Sequence, residues 1–382
     1  MTEPKRDVRY ARLIDGLDFK MRLLHLPFSG TFELTPRCNM NCKMCYIRMD
    51  EAEMARVGRE VDADEWIRIA REAVAQGMTM ALFTGGEAML YKDFKKVYLA
   101  VRSMGVFVSI NTNGTHMSDE WIEFFKQYPP AKFNLTIYGG CNETYARLCR
   151  NPNGFDQLKA GVEKLQANGF EVLLNCMITK QNVCDLEAIY AFGREHDLPI
   201  HATTYTFPAV RKEGVDDIDQ DRFTPTEAAI ARVKVNWNAI DDEARFLARA
   251  DQILADVEHA ESLDEECAEV QGDKVLCAGG RSSFWLTWDG RMLPCGMISD
   301  FPVRAAGRPF VDAWHEVVNH TAQITLAPEC ANCSKKSLCL PCAAKLKAES
   351  GFYDHKAEYK CEYTDEYIRL LDKARKYLRH EE

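Results

Sequence analysis

GTFELTPRCNMNCKMCY, residues 30–46, joins a β-like run to three closely spaced cysteines. GTFELT (30–35) reads as a strand that ends just before Cys38, Cys42 and Cys45, which follow at a spacing of C-x3-C-x2-C. The thiols therefore stand at the carboxyl end of a strand, the end that carries the chemistry in strand–helix barrels. Three thiolates on one short loop can hold three irons of a cubane and leave the fourth iron open to a small molecule. For these residues alone, a three-cysteine zinc site completed by water is the alternative, although this spacing after a first strand is uncommon for zinc.

Outward from that stretch, β-like runs alternate with helical patterns. DADEWIRIAREAVAQG (62–77) places Trp66, Ile69, Ala73 and Val74 at helical spacing and stops at Gly77. Further strands are expected at 78–83, 106–111, 132–137, 170–178 and 199–207, with helices at 92–105, 118–128, 154–169 and 186–196. The six alternations predict an α/β fold with a parallel sheet and right-handed crossovers. Six units are too few for an eight-fold barrel, so a partial (β/α)6 barrel is expected. The acidic run 213–223 reads as a surface connection, followed by helix from 225 to about 262. From 263 the pattern breaks into short cysteine-bearing pieces, which predicts a small domain held by metal clusters, with a helix at 365–378. The expected units are an N-terminal extension (1–29), the barrel (30–215), a helical bridge (216–262) and the cysteine-rich domain (263–382).

Composition narrows the class. Of 382 residues, 46 % are hydrophobic and 28 % charged, enough apolar chemistry for a sizeable core. Lys plus Arg is 48 against 58 for Asp plus Glu, and the net charge of -10 argues against a broad nucleic-acid-binding surface. No apolar run nears the ~20 residues of a membrane helix, and MTEPKRDVRY is too polar for a signal peptide. A cytoplasmic protein is expected. There, fifteen cysteines do not suggest a disulfide framework. Their clustering, three within 38–45 and four within 330–342, points to iron–sulfur or metal ligation. Cys141, Cys149, Cys176 and Cys184 fit no motif and read as ordinary thiols.

The first cluster, followed by Tyr46, resembles the signature of the radical S-adenosylmethionine (SAM) superfamily. The resemblance implies that SAM chelates the open iron of a [4Fe–4S] cluster held by Cys38, Cys42 and Cys45. It implies reductive cleavage of SAM to methionine and a 5′-deoxyadenosyl radical that abstracts a substrate hydrogen. TGGEA (84–88) resembles the family's Gly-Gly-Glu-Pro element, with Ala88 in place of proline. Gly85 and Gly86 would let backbone approach a ligand, and Glu87 could accept from a ligand ammonium. Asn113 of NTNG (111–114) is expected to contact SAM, with Asn175, Arg147 and Arg150 as weaker candidates.

The C-terminal cysteines resemble the SPASM extension of that superfamily. Cys277, twelve residues, Gly290, four residues and Cys295 are followed by Cys330, Cys333, Cys339, Cys342 and, eighteen residues on, Cys361. One spacing departs: two residues rather than three precede Cys342. By the resemblance, Cys330, Cys333, Cys339 and Cys361 hold an outer auxiliary [4Fe–4S] cluster, and Cys277, Cys295 and Cys342 an inner one. That makes three clusters in all. The inner fourth ligand is either Cys267 or no protein group. Zinc ribbons remain the alternative, made clumsy by the lone Cys361 and the distant Cys277/Cys295 pair.

What the resemblance implies is a radical SAM maturase of a ribosomally made peptide, forming a thioether or carbon–carbon crosslink or an epimer. Its partners would be a precursor peptide and an electron donor such as flavodoxin or ferredoxin, with no nucleic acid and no membrane. The roughly 30 residues before the first strand are too few for a leader-binding domain, so leader recognition would fall to the barrel, the extension or a separate protein. The rival is an enzyme acting on a small molecule or cofactor precursor. A sulfatase maturase is disfavoured because Gly296, not Asp, follows Cys295.

Overall fold

The computed structural model describes residues 8–208, 211, 221–262 and 277–381. Cys267 and most of the acidic run 213–223 lie outside the described residues. Six strands, β1 (Ser29–Glu33), β2 (Met80–Thr84), β3 (Phe107–Thr112), β4 (Lys132–Thr136), β5 (Val172–Met177) and β6 (Ile200–Thr203), neighbour one another in sequence order. All five pairings are parallel, the topology expected of a partial (β/α)6 barrel. Each crossover carries a helix: Ala63–Ala75, Phe94–Ser103, Asp119–Gln127, Gly154–Ala167 and Leu186–Glu195. Helix starts follow local chemistry. The Asp62 side chain accepts from Glu65 N–H and Ser118 from Trp121 N–H, each satisfying an orphan donor of the first turn.

The strands divide their side chains by alternation. On β1, Phe32 packs against Trp66 of the first crossover helix, ring centres 5.8 Å apart. Glu33 therefore points the other way, into the space the strands enclose. The same alternation turns Ile110 into the core and Asn111 inward.

The chain beyond 277 is built onto this same sheet. β7 (Ser283–Leu286) pairs in parallel with the free edge of β1, and β8 (Arg291–Leu293) and β9 (Val303–Arg304) continue antiparallel. The short irregular pieces expected there are thus strands. The signal was Asp289-Gly290 between apolar runs, a hairpin dipeptide; Gly290 has φ +84° and donates to Thr287 O at 2.8 Å. Helix Phe310–Ala322, also unexpected, packs across this hairpin and helix Ala63–Ala75. Helices Val8–Leu24, Glu51–Val57 and Asn142–Cys149 were not foreseen either, and the last helix begins at Glu358 rather than 365. No helix among the described residues is long and apolar enough to cross a membrane.

Candidate active site

Cys38, Cys42 and Cys45 lie on the loop leaving β1, and that loop is docked by backbone. Asn41 N–H donates to Cys149 O (3.1 Å) and Lys43 N–H to Leu148 O (3.0 Å). The last carbonyls of helix Asn142–Cys149, orphaned by the helix geometry, thereby hold the cysteine loop. Burial pushes the Cys38 thiol up to about 12. A hydrogen bond from the Cys149 thiol, seconded by Tyr138, lowers Cys42 instead. Ligation needs thiolates, so Cys149, which the sequence offered only as an ordinary thiol, touches the chemistry directly.

Gly85 and Gly86 face the same loop. A Cβ on Gly86 would stand 2.4 Å from Arg37 O, and one on Gly85 2.3 Å from Thr35 O. Gly86 N–H donates to Thr35 O and Glu87 N–H to Arg37 O, both at 2.8 Å. The glycines thus admit the cysteine loop's backbone, a reason beyond the ligand approach expected of them. We predict that Gly86→Ala, by forcing these loops apart, lowers iron bound per chain after reconstitution. Full iron loading would sink this account.

Glu87 is buried, and its carboxylate accepts from Asn113 N–H (2.9 Å), the Thr112 hydroxyl (3.0 Å) and Met89 N–H (3.4 Å). Burial raises it to about 7 against these hydrogen bonds. It ties the β2 loop to the end of β3 and is absent from the cavity wall, so the structure gives it a positioning task. Asn113 is also engaged. Its amide donates to Asn39 Oδ1 at 2.8 Å and its Oδ1 accepts from Thr115.

A cavity of about 510 Å³ opens beside these loops, within the size range of cofactor sites. Cys38, Cys42, Cys45, Gly85, Gly86 and Asn113 line one side; Thr136, Asn175 and His201 line the strand ends; Phe207 and Met297 close it toward the extension. Asn175 is thus at the cavity. Arg147 is spent on Gln181 O (2.7 Å), Arg150 caps its helix at φ +55°, and neither lines the cavity. Tyr138, His201, Phe207 and Met297 carried no motif and were missed. Behind the wall residue Asn111, Asn134 donates to it (2.9 Å), while the buried Oδ1 of Asn134 has no partner among the described residues. An orphan acceptor of this kind calls for a donor from a ligand or water. Cysteine loop and polar wall together fit a cluster-bound SAM.

Beneath the loop, Glu33 accepts Arg211 in a bidentate pair (2.8 and 3.0 Å) and Trp285 Nε1 (2.8 Å). Arg211 lies 5.7 Å from the centre of the Tyr46 ring. β1, β7 and the cysteine loop meet at this one buried carboxylate.

The extension thiols sort by neighbour. Cys342 and Cys277 are the thiols that act on Cys295, which burial pushes up to about 11. Cys361, Cys339 and Cys333 act on Cys330, likewise pushed up to about 11 by burial. Among the described residues, no three His, Cys, Asp or Glu side chains converge closely enough to share one metal ion.

Fold and site together define an α/β enzyme with a cysteine loop at the carboxyl ends of a parallel sheet. The chain matches the sequence pattern of the Radical SAM superfamily over residues 32–193, the segment that bears the cysteine loop and Gly85-Gly86-Glu87. It is 24 % identical over 318 residues to the Bacillus subtilis sporulation killing factor maturation protein SkfB, covering 81 % of this chain and 69 % of that one. It is 23 % identical over 340 residues to the AdoMet-dependent heme synthase of Methanosarcina barkeri, covering 86 % and 94 %. In fold it resembles Streptococcus suis SuiB bound to S-adenosylmethionine (TM-score 0.64, 16 % identity, 94 % and 83 % covered). It also resembles anSMEcpe with bound AdoMet (TM-score 0.64, 16 % identity, 91 % and 99 % covered).

Proposed function

We propose that this chain is a cytoplasmic maturase of a ribosomally made peptide, with two auxiliary [4Fe–4S] clusters in residues 263–382. The observation that carries the reading is the shared cavity. It reaches from the cysteine loop to Met297, whose N–H lies 3.2 Å from Cys295 Sγ. A substrate side chain entering past Phe207 and Met297 would stand between the SAM-binding loop and the inner set Cys277, Cys295 and Cys342. SAM, on a cluster that Cys38, Cys42 and Cys45 would hold, would supply hydrogen-atom abstraction from the substrate after taking one electron. The chain's part is positional: Glu87 and Asn113 hold the loops in register, and Phe207 and Met297 screen the cavity from water. The outer set is Cys330, Cys333, Cys339 and Cys361, and electrons would come from a flavodoxin or ferredoxin. Relatives support a peptide substrate: SuiB is described bound to precursor peptide SuiA, and anSMEcpe with AdoMet and a Kp18Cys peptide.

Position 296 speaks against sulfatase maturation. A Cβ on Gly296 would lie 3.1 Å from the Trp285 ring, and Trp285 is fixed by Glu33. Any side chain there, an Asp general base included, would press on the indole, which would have to give way. The second reading, a small-molecule precursor, draws on the heme synthase, 94 % of whose length is matched.

Reconstituted, reduced enzyme is expected to couple 5′-deoxyadenosine formation to a mass change in a peptide encoded beside its gene. Loss of two hydrogens marks a crosslink, and deuterium uptake from solvent marks an epimer. Turnover of a porphyrin precursor, with every such peptide inert, would replace this reading by the second.

A further inference from the structure

Lys360 is a buried ammonium with no carboxylate to answer it. It is 6 % exposed, at the start of helix Glu358–Leu378. Buried lysines are rare unless paired, because an uncompensated charge in a low-dielectric interior is costly. Yet neither Lys360 nor the nearby Lys345 forms an ion pair among the described residues. Glu349, four residues on from Lys345 on the same helix, is taken by Arg222 and by the Tyr205 hydroxyl at 2.6 Å. Ring faces are what remain. Lys360 Nζ stands 4.2 Å from the centre of the Tyr363 ring and 5.4 Å from that of Tyr205. Lys345 Nζ is 5.0 Å from the Tyr205 ring. Cation–π contact attracts an ammonium, but a ring carries no net charge to neutralise it.

Both lysines line a small void with Cys330, Cys339, Cys342 and Cys361. Three of these thiols, Cys330, Cys339 and Cys361, belong to the outer set and Cys342 to the inner one; thiolates around iron and sulfide make an anionic body, the missing counter-charge. We propose that Lys360, assisted by Lys345, is the charge partner of the outer auxiliary cluster and holds its reduction potential up. This rests on the auxiliary-cluster reading above. Reduction adds an electron to an anion, so a fixed cation beside it favours the reduced state. Charge, hydrogen bonding and burial are the means by which protein sets such potentials. Lys360 is a positioning charge and not a ligand: the thiols number four without it, Cys333 included.

The test uses holoprotein carrying C38A/C42A/C45A, so that only auxiliary clusters contribute to an EPR-monitored redox titration. Adding Lys360→Met should lower one midpoint potential by at least about 59 mV, a tenfold shift in the one-electron ratio, with iron and sulfide content unchanged. Lys360→Arg, which keeps the charge, should stay within about threefold of the parent ratio, roughly half that voltage. A merely structural role would not separate Met from Arg in this way. Should Lys360→Met fail to retain iron, Lys345→Met supplies the measurement, with a smaller shift in the same direction. Unmoved potentials at full iron content overturn the role of the lysines and leave the clusters standing. A parent variant without any iron sinks the auxiliary-cluster reading and this inference with it.

Discussion

C38A/C42A/C45A is expected to form no 5′-deoxyadenosine from SAM under reducing conditions, while still binding auxiliary iron. The three thiols are the only part of the loop the substitution removes. Its docking runs through backbone, from Asn41 and Lys43 N–H to the carbonyls of Cys149 and Leu148, and Gly86 N–H to Thr35 O. The loop should therefore keep its place, and the extension, whose thiols neighbour one another and not Cys38, should fold around its own metal. The effect is an abolition, set by the loss of every protein ligand to one cluster. Product assayed by chromatography and iron assayed by chelation give independent readouts. Unchanged product formation would falsify the assignment of this loop as the SAM site.

The barrel was legible because its units repeat one pattern, an apolar run followed by an amphipathic helix, with a side-chain cap at Asp62 and Ser118. The helical spacing of Trp66, Ile69 and Ala73 marks the face that the structure packs against the sheet, Trp66 on Phe32. The cysteine loop was legible because thiols at C-x3-C-x2-C have few other uses in a reducing compartment. What the sequence concealed falls into two kinds. β7 offers only four residues, Ser283–Leu286, and its partner β1 lies more than two hundred positions earlier. No local signal reports so distant a pairing, although Asp289-Gly290 marked the hairpin beside it. The second kind is side chains recruited by topology. Phe207 and Met297 reach one cavity from different parts of the chain, and Cys149 meets Cys42 because the cysteine loop docks by backbone on the end of helix Asn142–Cys149. Glu87 shows a subtler gap: its motif flagged importance, yet whether a carboxylate meets a ligand or the neighbouring strand depends on burial.

Glu33→Gln should be among the most destabilising single substitutions outside the cysteines. Glu33 is fully buried, at 0 % exposure, and the Arg211 side chain is 9 % exposed. Both oxygens are engaged, one by an Arg211 nitrogen at 3.0 Å, the other by Arg211 at 2.8 Å and Trp285 Nε1 at 2.8 Å. Removing one member of a buried pair leaves the other charge without compensation, at a cost of about 3–5 kcal/mol. The amide of Gln can still accept one hydrogen bond, but it cannot answer the guanidinium's charge. Denaturant unfolding under anaerobic conditions, followed by tryptophan fluorescence, should show the loss as a lower midpoint. The double variant Glu33→Gln/Arg211→Met should regain most of it, because a neutral, apolar partner leaves no stranded charge. If the single variant matched the parent, or the double variant were weaker still, the pair would not be a linchpin between β1, β7 and the loop that bears Tyr46. Recovery in the double variant would instead identify the stranded Arg211 charge as the source of the loss. It would also explain why one acidic residue can sit among the strands beneath an iron–sulfur site without unsettling them.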